Sequence, residues 1–158
     1  MASEKDKFTI IVDTREQTPW KFRAGAQCEG TVIQKVEHGD YSIKGLEHLV
    51  FIERKAAPQE IASNVIAKRF ERLLLNAEKY KYRYIICEFP VSKVINYPHG
   101  CGLPKSVIKR VRLSGSFILS KLIEISIEHG IHIVFCDSPS HAQKFAMSLM
   151  KKIVSREL

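Results

Sequence analysis

The stretch from Val36 to Lys55 constrains this chain most. It reads Val36-Glu37-His38-Gly39-Asp40-Tyr41-Ser42-Ile43, a short connector, then His48-Leu49-Val50-Phe51-Ile52-Glu53-Arg54-Lys55. Two apolar runs each carry a carboxylate, Asp40 in the first and Glu53 in the second. Side chains alternate faces along a strand, so Glu53 and Lys55 point one way and Arg54 the other. Paired as a hairpin, the two runs set Asp40 beside Glu53. Two carboxylates and a lysine on one patch suit a divalent ion and the water it activates, the arrangement of a metal-dependent phosphodiester hydrolase.

A further apolar run, Phe8 to Val12, ends in Asp13-Thr14-Arg15-Glu16. That brings four carboxylates, Asp13, Glu16, Asp40 and Glu53, to strand ends, and clustered like charges are costly unless cations neutralise them. The chain as a whole is basic, with 25 Lys and Arg against 17 Asp and Glu and a net charge of +8. Such a balance favours polyanionic partners through attraction and counterion release. An acidic spot on a basic domain points to bound metal with phosphate around it. Oxygen ligands favour Mg²⁺ or Mn²⁺ over zinc. The four cysteines, Cys28, Cys87, Cys101 and Cys136, fit no paired zinc spacing. Cys87 and Cys136 lie in apolar runs and read as reduced core residues.

At 158 residues and 45% hydrophobic, the chain reads as a polar, frayed tail over residues 1–7 and a single domain over 8–158. No stretch approaches the roughly 18 apolar residues of a membrane span, and the N-terminus carries no apolar leader, so an intracellular location is expected. Phe8–Val12, Thr31–Val36 with a continuation through Ile43, and Leu49–Lys55 are expected as a β-meander. Pro58 opens one amphipathic helix running from Gln59 to about Lys81. Strands over Tyr84–Cys87 and Ile131–Phe135 alternate with helices over Phe117–His129 and Ser140–Ser155, and Gly130 stops the first of these helices. Pro104 starts a short basic helix. The whole suggests an α/β sandwich around a mixed sheet.

From about residue 8 to residue 155 the chain resembles the nuclease domain of the XPF/Hef-type structure-specific endonucleases. The resemblance rests on Val12-Asp13-Thr14-Arg15-Glu16, on Gly39-Asp40-Tyr41 and Glu53-Arg54-Lys55, and on Arg69-Phe70, Ile85 to Glu88, and Ser138-Pro139 with Ala142, all in the family's order. It implies a restriction-endonuclease-like α/β core with a central mixed β-sheet flanked by helices. It also implies an endonuclease acting on branched or flap DNA in repair, recombination or replication. One departure is Gln59, where the family has an aspartate, with Glu60 one step along. Another is that the helix-hairpin-helix modules of many relatives do not follow, which leaves substrate preference more open than chemistry.

On this reading Asp40 and Glu53 are metal ligands, joined, by analogy with related nucleases, by the carbonyl of Arg54. Asp13 and Glu16 complete the acidic cluster. Lys55 orients or deprotonates the attacking water and offsets charge in the transition state. Arg54 pairs with an acid and fixes its strand, and Glu88 is structural. Arg15, Arg69, Lys105, Lys109, Arg110 and Arg112 are candidate DNA contacts. Two alternatives stand beside this: a catalytically silent DNA-binding or scaffold subunit, disfavoured by the presence of Asp13, Asp40, Glu53 and Lys55, and a restriction-type sequence-specific enzyme. The apolar residues from Phe117 to Ile131 and from Phe145 to Ile153 cover more than one helix face, which suggests a homodimer through the C-terminal third. Otherwise the segment from Tyr97 to Arg112 folds over that surface.

Overall fold

The computed structural model describes residues 7–158; the tail expected over residues 1–7 lies, but for its last residue, outside the described residues. Six strands form one mixed sheet: β1 (Phe8–Val12), β2 (Cys28–Ile33), β3 (Tyr41–Ile43), β4 (Val50–Lys55), β5 (Tyr82–Cys87) and β6 (His132–Phe135), in spatial order β2-β1-β3-β4-β5-β6. The expected meander does not form. β1 and β2 run parallel, and β3 pairs with the other side of β1 instead of continuing β2. Parallel neighbours need a long connection that returns the chain to the same end, and residues 13–27 supply it. The expected hairpin does form: β3 is antiparallel to β4, with Tyr41 opposite Ile52. β4, β5 and β6 are parallel.

Strand alternation divides the core in two. Ile10, Val12, Tyr41, Ile43, Ile52 and Ile86 pack on one face with Ala142, Ala146, Met150 and Ile153 of α6 (Pro139–Glu157). On the other face, Phe51, Ile85 and Cys87 pack against α1 (Pro58–Asn64), α2 (Lys68–Ala77) and α5 (Gly115–His129). The sheet is thus covered on both sides, as parallel strands require. Among the described residues no helix is long and apolar enough to cross a membrane.

The single helix expected over Gln59–Lys81 is instead two. Ala67 is extended, with φ −94° and ψ 128°, and α2 restarts after it to bury Phe70, Leu74 and Ala77. Neither Gly nor Pro marks the break; the three-and-four spacing carries straight through it, so packing overrides the local pattern. Short helices α3 (Val91–Ile95) and α4 (Lys105–Ile108) follow β5. Ser114 caps α5 by accepting from the Phe117 N–H, and Gly130 ends it in the left-handed region at φ 61°. Ser138 caps α6 in the same way, accepting from the His141 N–H.

Candidate active site

The hairpin and α2 enclose a cleft of about 560 Å³, whose walls include Asp40, Glu53, Lys55, Arg69 and Arg72. β4 supplies the floor. Glu53 and Lys55 share the face of Phe51, towards α1 and α2, as the alternation requires. Lys55 is buried, its Nζ 3.1 Å from Glu53 Oε1 and 5.3 Å from the centre of the Phe70 ring. Gly39 makes the turn into β3 possible. Its φ is +91°, and a Cβ there would lie 2.9 Å from the Ile52 carbonyl oxygen. That close approach lets the Asp40 N–H donate to the same carbonyl at 2.8 Å. Asp40 Oδ2 in turn accepts from the Arg54 backbone N–H at 2.7 Å.

Burial, and then the negative charge of Glu53, raise the Asp40 carboxyl to about 8. A like charge beside a buried carboxylate disfavours its ionised form, and a bound cation would offset that. No group of three or more His, Cys, Asp or Glu side chains among the described residues is placed to hold a metal ion. Two carboxylates with the rest of the shell left to water suit Mg²⁺ or Mn²⁺ better than zinc.

Of the four carboxylates expected to cluster, Asp13, Asp40 and Glu53 line the cleft and Glu16 does not. Asp13 lines the cleft but spends both oxygens within the protein: Oδ1 accepts from the Val36 N–H at 2.8 Å, and Oδ2 from Arg15 Nε at 2.7 Å. Burial pushes its pKa up, but these hydrogen bonds outweigh it and hold the carboxyl below its ordinary value. Asp13 thereby pins the loop that leads to Asp40. Glu16 is turned to the other face of β4, where Arg54 Nη2 and Nε reach it at 2.7 and 3.0 Å.

Arg54 pairs with acids on the face opposite Lys55. Besides Glu16 it donates to Glu88 Oε1 at 2.6 Å, and Trp20 Nε1 donates to that same oxygen at 3.1 Å. Glu88 is thus part of the scaffold. Gln59 donates to the Cys101 carbonyl at 3.0 Å, and Glu60 is exposed and accepts from the Ala56 N–H at 3.2 Å; neither lines the cleft.

The basic candidates separate into two groups. Arg15 and Arg69 line the cleft, joined by Arg72. Lys105, Lys109, Arg110 and Arg112 are exposed on and after α4 and lie off the cleft walls. Sequence reasoning gave no role to His38, Asn64 or Asn76, which also line the cleft. Only the position of His38 beside Gly39-Asp40 signals its place; the asparagines depend on the unmarked break before α2.

A mixed sheet covered by helices, with two carboxylates and a lysine gathered at a hairpin, defines a restriction-endonuclease-like nuclease domain. Residues 12–149 match the ERCC4 domain, and the chain belongs to that family, whose members are XPF-type nuclease domains. Solved structures that share the fold include two of one protein. XPF from Aeropyrum pernix is 16% identical, with a TM-score of 0.60 over 94% of this chain and 60% of that one. The same protein in complex with DNA is 17% identical, with a TM-score of 0.66 over 96% of this chain and 68% of that one. This chain therefore spans less than two thirds of the first of these proteins. No curated protein sequence matches it.

Proposed function

We propose that this chain is a DNA endonuclease that hydrolyses phosphodiester bonds with Mg²⁺ or Mn²⁺, preferring branched or flap structures. The observation that carries the reading is the crowding of Asp40 and Glu53 in one cleft, with Asp40 raised to about 8 and Lys55 Nζ 3.1 Å from Glu53. Asp40 and Glu53 would hold the ion. Such an ion polarises the phosphodiester and makes water a stronger nucleophile at neutral pH. Lys55 holds a positive charge against the reacting phosphate, oriented by Glu53 on one side and Phe70 on the other. Arg69 and Arg72, exposed on α2, steer the DNA backbone into the cleft. Lys105, Lys109, Arg110 and Arg112 extend the basic surface beyond it.

The Aeropyrum pernix XPF complex with DNA supports a nucleic-acid partner for this fold. Preference for branched DNA, and a part in repair, recombination or replication, rest on family membership. The test is digestion of end-labelled flap, fork, nicked, four-way and intact duplex DNA with Mg²⁺. Cleavage of the branched substrates above the intact duplex is expected. Equal cleavage of flap and continuous duplex in one sequence context favours a restriction-type enzyme, and no cleavage favours a silent DNA-binding subunit.

We also propose a homodimer. Phe117, Ile123 and Ile127 on α5 are 40%, 53% and 78% exposed, while Ile118, Leu122 and Ile125 face the sheet. Part of the chain between Tyr97 and Arg112 does lie against α5: the Gly115 N–H donates to the Tyr97 carbonyl at 3.1 Å. It leaves the outer stripe uncovered, and a second copy is the occupant that the apolar area favours.

A further inference from the structure

His38 stands one residue before the Gly39 turn, on the cleft wall. Its ring is held on one side only. Nδ1 lies 3.0 Å from the Tyr80 hydroxyl, and the two rings meet edge to face, with centroids 6.0 Å apart at 81°. Tyr80 is buried and packs on Phe51, two residues before Glu53 on the same strand face, with ring centroids 5.8 Å apart. The hydroxyl is therefore fixed relative to the site. Burial, and then the charge of Glu37, push the Tyr80 phenol up, so it stays protonated. Among the described residues its only hydrogen-bond partner is His38. The hydroxyl can donate to Nδ1 at this distance, and in that arrangement the imidazole proton sits on Nε2, away from Tyr80.

We propose that His38, fixed by Tyr80 as its Nε2–H tautomer, donates a hydrogen bond to a phosphate oxygen of DNA lying in the cleft. The inference rests on the DNA-cleavage reading and adds a specific positioning contact to it. The other basic groups at the cleft differ in kind. Lys55 is engaged with Glu53, and Arg15 donates to Asp13 and to the Val36 carbonyl. Arg69 and Arg72 are exposed and free to swing. A mobile guanidinium attracts a phosphate, whereas a donor held in place sets the register of the backbone against the reacting groups. His38 is that fixed donor, two residues from Asp40, and Tyr80 is the residue that positions it.

The test combines kinetics on a labelled flap, its binding measured by fluorescence anisotropy in Ca²⁺, and ¹⁵N NMR of the neutral imidazoles, with His38→Gln assigning the signal. His38→Ala should raise KM and the dissociation constant about tenfold, the worth of one hydrogen bond to a charged group, with kcat changed far less. His38→Gln, which keeps an amide N–H, should recover part of that loss. Tyr80→Phe should raise KM a few-fold and move the His38 signal from the Nε2–H tautomer to a mixture. Wild-type KM in His38→Ala overturns the inference while leaving the DNA-cleavage reading in place. So does a lower melting temperature in both variants with unchanged KM, or an Nδ1–H tautomer in the wild type. A wild-type chain that neither binds nor cuts the flap overturns the parent reading and this inference together.

Discussion

The Arg54 N–H donates to Asp40 Oδ2 at 2.7 Å, while the Arg54 guanidinium turns to the opposite face of the sheet to meet Glu16 and Glu88. One residue thus anchors a cleft carboxylate by its backbone and the supporting scaffold by its side chain. Asp40 is set against β4 by a main-chain contact that no substitution at position 54 short of proline removes. The chemistry and the framework can therefore be disturbed separately.

Asp40→Asn and Glu53→Gln should each abolish Mg²⁺-dependent cleavage while leaving the circular dichroism spectrum unchanged. Each removes one charge from the pair proposed to hold the ion, at nearly constant volume, and the asparagine keeps an oxygen for the Arg54 N–H. Losing the ion's contribution should cost several kcal/mol of barrier, hence orders of magnitude in rate. Turnover within a few-fold of wild type in either variant would dismiss the pair as the metal site.

Stability without metal should depend on pH through Asp40. Its folded value, about 8, lies above its ordinary 3.8. A raised carboxyl contributes stability that is fully present below the unfolded value and is lost as pH rises through the folded one. In EDTA the wild-type melting temperature should therefore fall between about pH 4 and pH 8 relative to Asp40→Asn. Mg²⁺ should reverse the loss, with an affinity that rises over the same window because binding displaces a proton. Parallel melting curves for the two proteins across that range would refute the coupling.

Arg54→Ala should unfold the domain more readily. The guanidinium is 11% exposed and its partners Glu16 and Glu88 are 6% and 7% exposed, so the substitution strands two buried carboxylates. Breaking such a network costs about 3–5 kcal/mol. Chemical denaturation should show a midpoint shift of that size, and replacing Glu16 and Glu88 by glutamine as well should restore much of it. A loss of cleavage with unchanged stability would instead place Arg54 in the chemistry.

The sequence carried the face assignments further than it carried the topology. Alternation along Val50–Lys55 was enough to separate Glu53 and Lys55 from Arg54, because successive residues of β4 face opposite cores, Val50 and Ile52 one and Phe51 the other. The order of strands was less legible. Nothing in residues 13–27 states whether the chain turns back beside β1 or crosses to run parallel with it. Asp13 and Glu16 look alike as acids at a strand end. Their separation depends on partners distant in sequence, Val36 for one and Arg54 for the other. The cleft wall was hidden for a related reason: the break at Ala67 carries no Gly or Pro, so the placement of Asn64, Arg69 and Arg72 follows from packing alone.

Ile123 and Ile127, four residues apart, share one side of α5, Phe117 is exposed further round the helix, and Phe145 of α6 adds a further exposed ring. A charge placed at the centre of an apolar interface must be desolvated without a partner, so one substitution can dissociate a dimer that many apolar contacts maintain. Light scattering at micromolar concentration should give about twice 18.1 kDa for the wild type. Ile123→Lys with Ile127→Lys should return it to the single-chain mass. Both positions are already exposed in one chain, so the double variant should keep its melting transition, lowered only by the loss of the partner. If the two active sites bind one DNA together, the variant should also weaken flap binding and show a shallower salt dependence, since fewer phosphates are contacted per complex. A wild-type mass near 18.1 kDa across the concentration range would rule out the dimer and leave the α5 stripe without this role.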